Sequence, residues 1–220
     1  MSIRAKLYAA LAVTIAGLLA TAAVGIVGMS RLGDRFEEVQ AASRAQALAL
    51  QLKYDVTDFN GWQTAYGYDN GASRPVFLAS VKRFRADLAR ARRELARPQE
   101  QAYLDEVGRA FDEFMRLDDQ AFAALQAGNK ARVKDIFLGP ELTIFKRAAA
   151  SAQRLAGYEA GRVSVEDKAF KDARHDALRL LIAVSAIAGL LVVILLITAN
   201  DLARAAEGKL AGQTREPTST

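Results

Sequence analysis

The chain has 220 residues, a net charge of +5 and no cysteine, which excludes a disulfide framework and a thiolate metal site. Hydrophobic residues make up 51% of it and only four residues are proline, a composition that favours long helices over sheet.

The first element is apolar. Leu7 to Ser30, LYAALAVTIAGLLATAAVGIVGMS, contains no charged residue. About 20 such residues, at roughly 1.5 Å each, cross a hydrocarbon layer of about 30 Å. Residues 7–30 are therefore expected to form a transmembrane helix, with residues 1–6 as a cytoplasmic N-terminus. Arg4 and Lys6 ahead of the span favour that orientation. A cleaved signal peptide is the alternative, since ATA at Ala20–Ala22 resembles a cleavage site. The apolar run continues to Met29, however, past the ~7–15 residues of a signal-peptide core.

Residues 31–179 follow as one extracytoplasmic helical segment. The first helix is predicted to run on to about residue 69, with Leu48, Leu52, Val56 and Phe59 on its apolar stripe. DNGASRP ends it as a turn. The second is expected over 75–96, where Phe77, Val81, Phe84, Leu88, Ala91 and Leu95 recur at spacings of four and three. Arg97-Pro98 closes it. The third, 99–126, continues the pattern with Leu104, Val107, Phe111, Phe114, Ala121 and Leu125, and Asp118 breaks the seam. Asn129 is a plausible N-cap for the fourth, which begins near Lys130, is interrupted at Gly139-Pro140, and carries Leu142, Phe145, Ala149, Ala152 and Ala156 as its seam, with Glu159 and Glu166 interrupting. Short turns between consecutive helices predict an all-α, antiparallel up-down four-helix bundle.

Charge supports the pairing of the middle helices. Residues 74–97 carry eight basic and two acidic side chains; residues 99–126 carry seven acidic and two basic. The basic run KRFRADLARARREL is thus a solvated face beside an acidic neighbour, not a nucleic-acid patch.

Leu180 to Ala199, LLIAVSAIAGLLVVILLITA, is a second uncharged run and the second expected span, 180–199. Two spans return the chain to the cytoplasm, so residues 200–220 form a short cytoplasmic tail, expected to be disordered. The implied location is a membrane, with the bundle outside the cytoplasm and lipid around both spans; the resemblance described below implies a bacterial inner membrane.

No catalytic constellation, cofactor motif or metal-ligand set is visible. His175 is the single histidine, just ahead of the second span. The one local anomaly is DFNGWQTAYGYD, residues 58–69, with the only tryptophan. On a helix, Asp55, Phe59, Trp62, Tyr66 and Asp69 share a stripe; Asn60, Gln63 and Gly67 lie on the next one. At about 1.5 Å per residue, Trp62 falls ~50 Å beyond the first span. Two readings stand. Aromatic faces bracketed by carboxylates suit an amine or other cation, with Asp55, Asp58, Asn60, Trp62, Gln63, Tyr66 and Asp69 as candidate ligand-binding residues. Alternatively the aromatics fill one end of the core.

DFNGWQTAYGYD, AGNKARVKDIFLGPELTIFKRAAASAQRLA and the two flanking spans together resemble the ligand-sensing region of bacterial methyl-accepting chemotaxis proteins of the four-helix-bundle type. The resemblance covers residues 1–200. It implies transmembrane signalling without enzymatic activity, homodimers or heterodimers with related receptors, and a small polar ligand or a ligand-binding protein as the stimulus. It departs after the second span, where NDLARAAEGKLAGQTREPTST stands in place of a HAMP linker and a methylated signalling coiled coil. A stand-alone sensor, an accessory membrane protein that pairs with full-length receptors, and a fragment of a broken receptor are all compatible with that departure.

Overall fold

A computed structural model describes residues 3–213. Among these, the elements are helical and no strand occurs: α1 (Ile3–Tyr68), α2 (Arg74–Glu94), α3 (Pro98–Gln126), α4 (Lys130–Ile136), a five-residue π-helical segment (Phe137–Glu141) and α5 (Leu142–Gln213). The chain divides into two compact units, residues 37–168 and the two ends of the chain up to Phe36 and from Ala169.

The breaks lie where the sequence places them. α1 closes with a bond from the Gly71 N–H to the Tyr66 carbonyl, 2.8 Å, while Asn70 (φ 55°) and Gly71 (φ 96°) take the left-handed conformation. Pro98 opens α3, where its missing N–H costs nothing. The Asn129 side chain accepts from the Arg132 N–H at 3.0 Å and caps α4. Pro140 cannot donate the bond an α-helix needs, and Gly139 leaves helical geometry beside it (φ −104°, ψ −106°). The chain accommodates both in the π turn. α5 continues to Gln213, so residues 200–213 of the stretch read as a tail are helical. Residues 214–220 lie outside the described part.

In the unit formed by residues 37–168, the larger core draws on α1, α2, α3 and α5, and a smaller cluster joins Leu117, Ala121 and Ile136. Leu48, Leu52, Val56 and Phe59 meet Phe77, Val81, Phe84 and Leu88, then Leu104, Val107, Phe111 and Phe114, then Ala148, Ala152 and Leu155. Phe59 is its centre. The ring is 1% exposed and lies 5.2, 5.5 and 5.0 Å from the rings of Phe84, Phe111 and Phe114. Along α2, contacts move from Arg74–Asp118 to Phe84–Phe111 to Arg92–Asp105, so rising positions in α2 meet falling positions in α3. The seam of α5 agrees with expectation in part: Ala152 and Ala156 are buried, Leu142, Phe145 and Ala149 are half-buried, and Ala148, Ser151 and Leu155 also go inside.

In the other unit, α1 and α5 are each long and apolar enough to cross a membrane. Gly17 faces the Ala188 methyl and Gly28 the Ala177 methyl, each at 3.6 Å from where a Cβ would stand. The hydroxyls of Thr14, Thr21 and Thr198 bond back to the carbonyls of Ala10, Gly17 and Ile194 at 2.9–3.0 Å. These polar groups are therefore satisfied without leaving an apolar stretch.

Phe59→Ala removes the ring that the other three share. Its expected cost is about 3–5 kcal/mol. Denaturant unfolding of the full chain in detergent checks this; a loss under ~1 kcal/mol would show that the core closes without Phe59.

Candidate functional site

At the end of α1 the apolar core gives way to polar side chains. Gln63, Tyr66, Asp118 and Glu141 are all buried, at 2%, 0%, 0% and 1% exposure. They come from α1, α3 and the π turn. The Tyr66 hydroxyl donates to Asp118 Oδ1 in a short bond. Gln63 Nε2 donates to Asp118 Oδ1 at 3.2 Å and also to Glu141 Oε1, so one amide joins the two carboxyl groups. Arg74, the first residue of α2, brings Nη1 to 2.9 Å from Asp118 Oδ2, in close charge contact but out of hydrogen-bond alignment. Its guanidinium carbon lies 3.8 Å from the ring centre of Phe122, 4.9 Å from Tyr66 and 5.4 Å from Phe77.

Local sequence builds this arrangement. Gly67 is required because a Cβ there would lie 2.4 Å from the Phe137 ring, which stands edge-on to Tyr66 at 6.0 Å. Gly61, in contrast, faces nothing within 4 Å. The π turn delivers Glu141 to the interior one residue before α5 begins.

Burial controls the titration of the cluster. It pushes the Glu141 carboxyl up to about 8, against the donated Gln63 bond, and the nearby Asp118 charge adds to the rise. Asp118 also rises through burial, opposed by Tyr66, Arg74 and Gln63. The Tyr66 phenol is pushed above its usual range by burial and by Asp118. At neutral pH burial therefore keeps Glu141 protonated, with its Oε2 buried and without a protein partner, beside the close Arg74–Asp118 contact.

The seven residues singled out from sequence separate. Gln63 and Tyr66 belong to this cluster. Asp55 and Asp58 belong to another: Arg83 lies 3.6 Å from Asp55 Oδ1 and 2.5 Å from Asp58 Oδ2, and Gln51 donates to Asp55 at 2.9 Å. Burial and the neighbouring Asp87 push Asp55 up to about 6. Asp69 holds the turn after α1, accepting from the Ser73 backbone N–H at 3.0 Å and from its hydroxyl, which keeps Asp69 below the usual carboxylate range. Asn60 is half-buried. Trp62 is 38% exposed, so the stripe drawn through it from the sequence fails at that position. Gln63 faces inward in its place. Arg74, Asp118 and Glu141 were not singled out as site residues; the signal for Asp118 was its interruption of an otherwise unbroken apolar seam.

A third buried group sits near the start of α3. Arg162 Nη1 reaches Glu100 Oε1 at 2.9 Å and Glu159 Oε2 at 2.7 Å. Burial and the adjacent Glu100 push Glu159 up to about 7. Among the described residues, no group of three or more His, Asp or Glu side chains is placed to hold a metal ion.

Glu141 fixes a pH dependence with a definite sign. Its folded value, about 8, exceeds its ordinary 4.5, so between these values the folded chain holds a proton that the unfolded chain has lost. Stability is therefore greatest below that window and falls as pH rises through it, by roughly 2–4 kcal/mol for this group. Glu141→Gln should abolish the part of the decline above about pH 7, leaving the contributions of Glu159 and Asp55 at lower pH. Melting curves of the full chain at stepped pH test this; an unchanged alkaline decline in the variant would exonerate Glu141. Trp62→Ala, by contrast, should shift stability by less than ~1 kcal/mol, because its ring lies at the rim.

Comparison of the chain with protein-family models, with curated proteins and with solved structures finds no match. Its function is accordingly read from its own residues.

Proposed function

We propose that the chain is a membrane-anchored sensory module related to the ligand-sensing region of chemotaxis receptors. In this reading residues 31–179 form an antiparallel up-down four-helix bundle outside the cytoplasm, and residues 7–30 and 180–199 span the inner membrane. The observation that carries it is a shared pair of helices. α1 bears one apolar stretch and, near its other end, Gln63 and Tyr66. α5 bears the second apolar stretch and starts immediately after Glu141. The polar cluster, which also draws on α2 and α3, thus lies on α1 and next to the start of α5, the two helices that are long and apolar enough to cross a membrane.

A stimulus that changes how the cluster packs would act on the ends of both. Helix shifts of about 1–2 Å are an established means of passing such a change along a bundle. The stimulus must favour one packing over another, since equal affinity for both shifts nothing. A small polar ligand or a ligand-binding protein fits this role, in a homodimer or in a heterodimer with related receptors. The accessory reading, a partner of full-length receptors with no ligand of its own, is separated by crosslinking in the native membrane; recovery of self-crosslinks alone counts against it.

Topology is tested directly because the chain has no native cysteine. Arg116→Cys should react with a membrane-impermeant maleimide on intact cells, whereas Asp201→Cys should react only after lysis. Labelling of Asp201→Cys on intact cells, or protection of Arg116→Cys, overturns the proposed orientation.

A further inference from the structure

Arg74 sits in surroundings that its own helix does not explain. It is the first residue of α2, where a positive charge opposes the helix dipole, and the N-cap Ser73 makes no side-chain capping bond. The guanidinium instead lies among three aromatic rings, Phe122, Tyr66 and Phe77, with the fully buried Asp118 carboxylate at its edge. Aromatic faces plus a carboxylate are the features that select an organic cation, and a planar guanidinium stacks on rings where a compact ammonium cannot.

Arg74 is held by the ring faces and by a 2.9 Å ion pair from Nη1 to Asp118 Oδ2, while Glu141 Oε2 beyond Gln63 is buried without a protein partner. Arg74 is also at the margin: its side chain keeps 12% exposure while that of Asp118 has none. The occupant can therefore leave toward solvent while the cage remains buried. The turn before it, residues 69–73, is held chiefly by Asp69 and Ser73.

We infer that the cage formed by Tyr66, Phe77, Phe122 and Asp118 is a binding site for a small guanidinium-headed organic cation, with Arg74 as a tethered occupant that the ligand displaces. A free cation of this type would take the ring faces and the Asp118 charge that Arg74 now holds, keeping the buried charge balanced. Arg74 would swing out with the start of α2, toward the neighbouring Asp119, already 3.9 Å from Nη2. Because the tether supplies Arg74 at a high effective concentration, the intact chain binds the free ligand weakly, and removing Arg74 exposes the full affinity of the cage.

This inference supplies the ligand class for the sensory reading and rests on it for its biological meaning. Its test requires neither membrane topology nor a signal, so either can fail without the other. The full chain in nanodiscs is titrated with methylguanidinium chloride at low-millimolar concentrations, with sodium chloride at equal ionic strength as control. Trp62, the sole tryptophan and one turn from Tyr66, reports binding by fluorescence, and melting temperature reports it independently. Arg74→Met keeps an apolar stem against the rings and should bind methylguanidinium saturably, at least ~10-fold more tightly than the unaltered chain. Arg74→Lys retains a cation and guards against misfolding; it should fall between the two. Phe122→Leu in the Arg74→Met background should remove most of the gain. No saturable response in Arg74→Met and Arg74→Lys, equal affinity with and without Arg74, or an equal response to sodium chloride overturns the assignment.

Discussion

The constraint on which this helical unit depends is the burial of Asp118. An aspartate with no exposed surface, placed beyond an aromatic core, carries a desolvation cost that only close partners offset. Those partners come from α1 (Gln63 and Tyr66) and α2 (Arg74), and through Gln63 the cluster reaches Glu141 at the head of α5. Every helix of the core thereby contributes a group whose position is set by one carboxylate. Such a network adds little net stability over an apolar replacement. Its effect is on arrangement: a rotation of α1 that kept Phe59 buried but turned Gln63 outward would leave two carboxyl groups without their shared donor.

The same logic recurs at the other end of α3. Glu100 accepts from the Arg97 backbone N–H at 2.9 Å, covering an unpaired donor at the helix start, and shares Arg162 with Glu159. Between the two clusters the core is aromatic and aliphatic, with Phe59, Phe84, Phe111 and Phe114 in mutual contact. Apolar packing in the middle supplies most of the free energy, because it is proportional to the area removed from water. Polar clusters at the ends carry buried groups whose charge depends on pH and on partners. Asp55, pushed up to about 6 beside the aromatic middle, adds a titrating group there as well.

Much of this was legible in the sequence, and what escaped did so for one reason. The stripes of α2 and α3 follow from spacing alone, since Phe77 to Leu95 and Leu104 to Ala121 repeat with the period of a helix face; the turns follow from Asn70-Gly71, Pro98, Asn129 and Gly139-Pro140. The site stripe did so only in part: Asp55, Phe59 and Tyr66 on it are buried, but Trp62 is 38% exposed and Gln63 of the adjacent stripe is inside. Gln63 is inside only because acceptors from positions 55 and 78 residues away meet it there. A single sequence carries no record of such pairings. Asp118 and Glu159 read as flaws in an apolar seam, and both are instead fully buried members of polar clusters. An acid on a seam is thus better treated as a pointer to a distant base or amide than as a break.

The segment Phe137–Glu141 is a kink, with Gly139 outside helical geometry. Converting it to a regular α-helix would join α4 and α5 into one rod. Pro140 opposes this conversion, because it has no N–H to give and its ring would meet the carbonyl four residues earlier. The irregularity is therefore a fixed joint. It separates the seven-residue α4 from α5. Glu141 lies on the α5 side of that joint, next to Leu142, and its hydrogen bond to Gln63 ties the start of α5 to α1. An ionised Glu141 would gain from the positive end of the α5 dipole but lose through burial and through Asp118. The balance between those effects, set by what neutralises Asp118, is the term through which an occupant of the aromatic cage would act on α5.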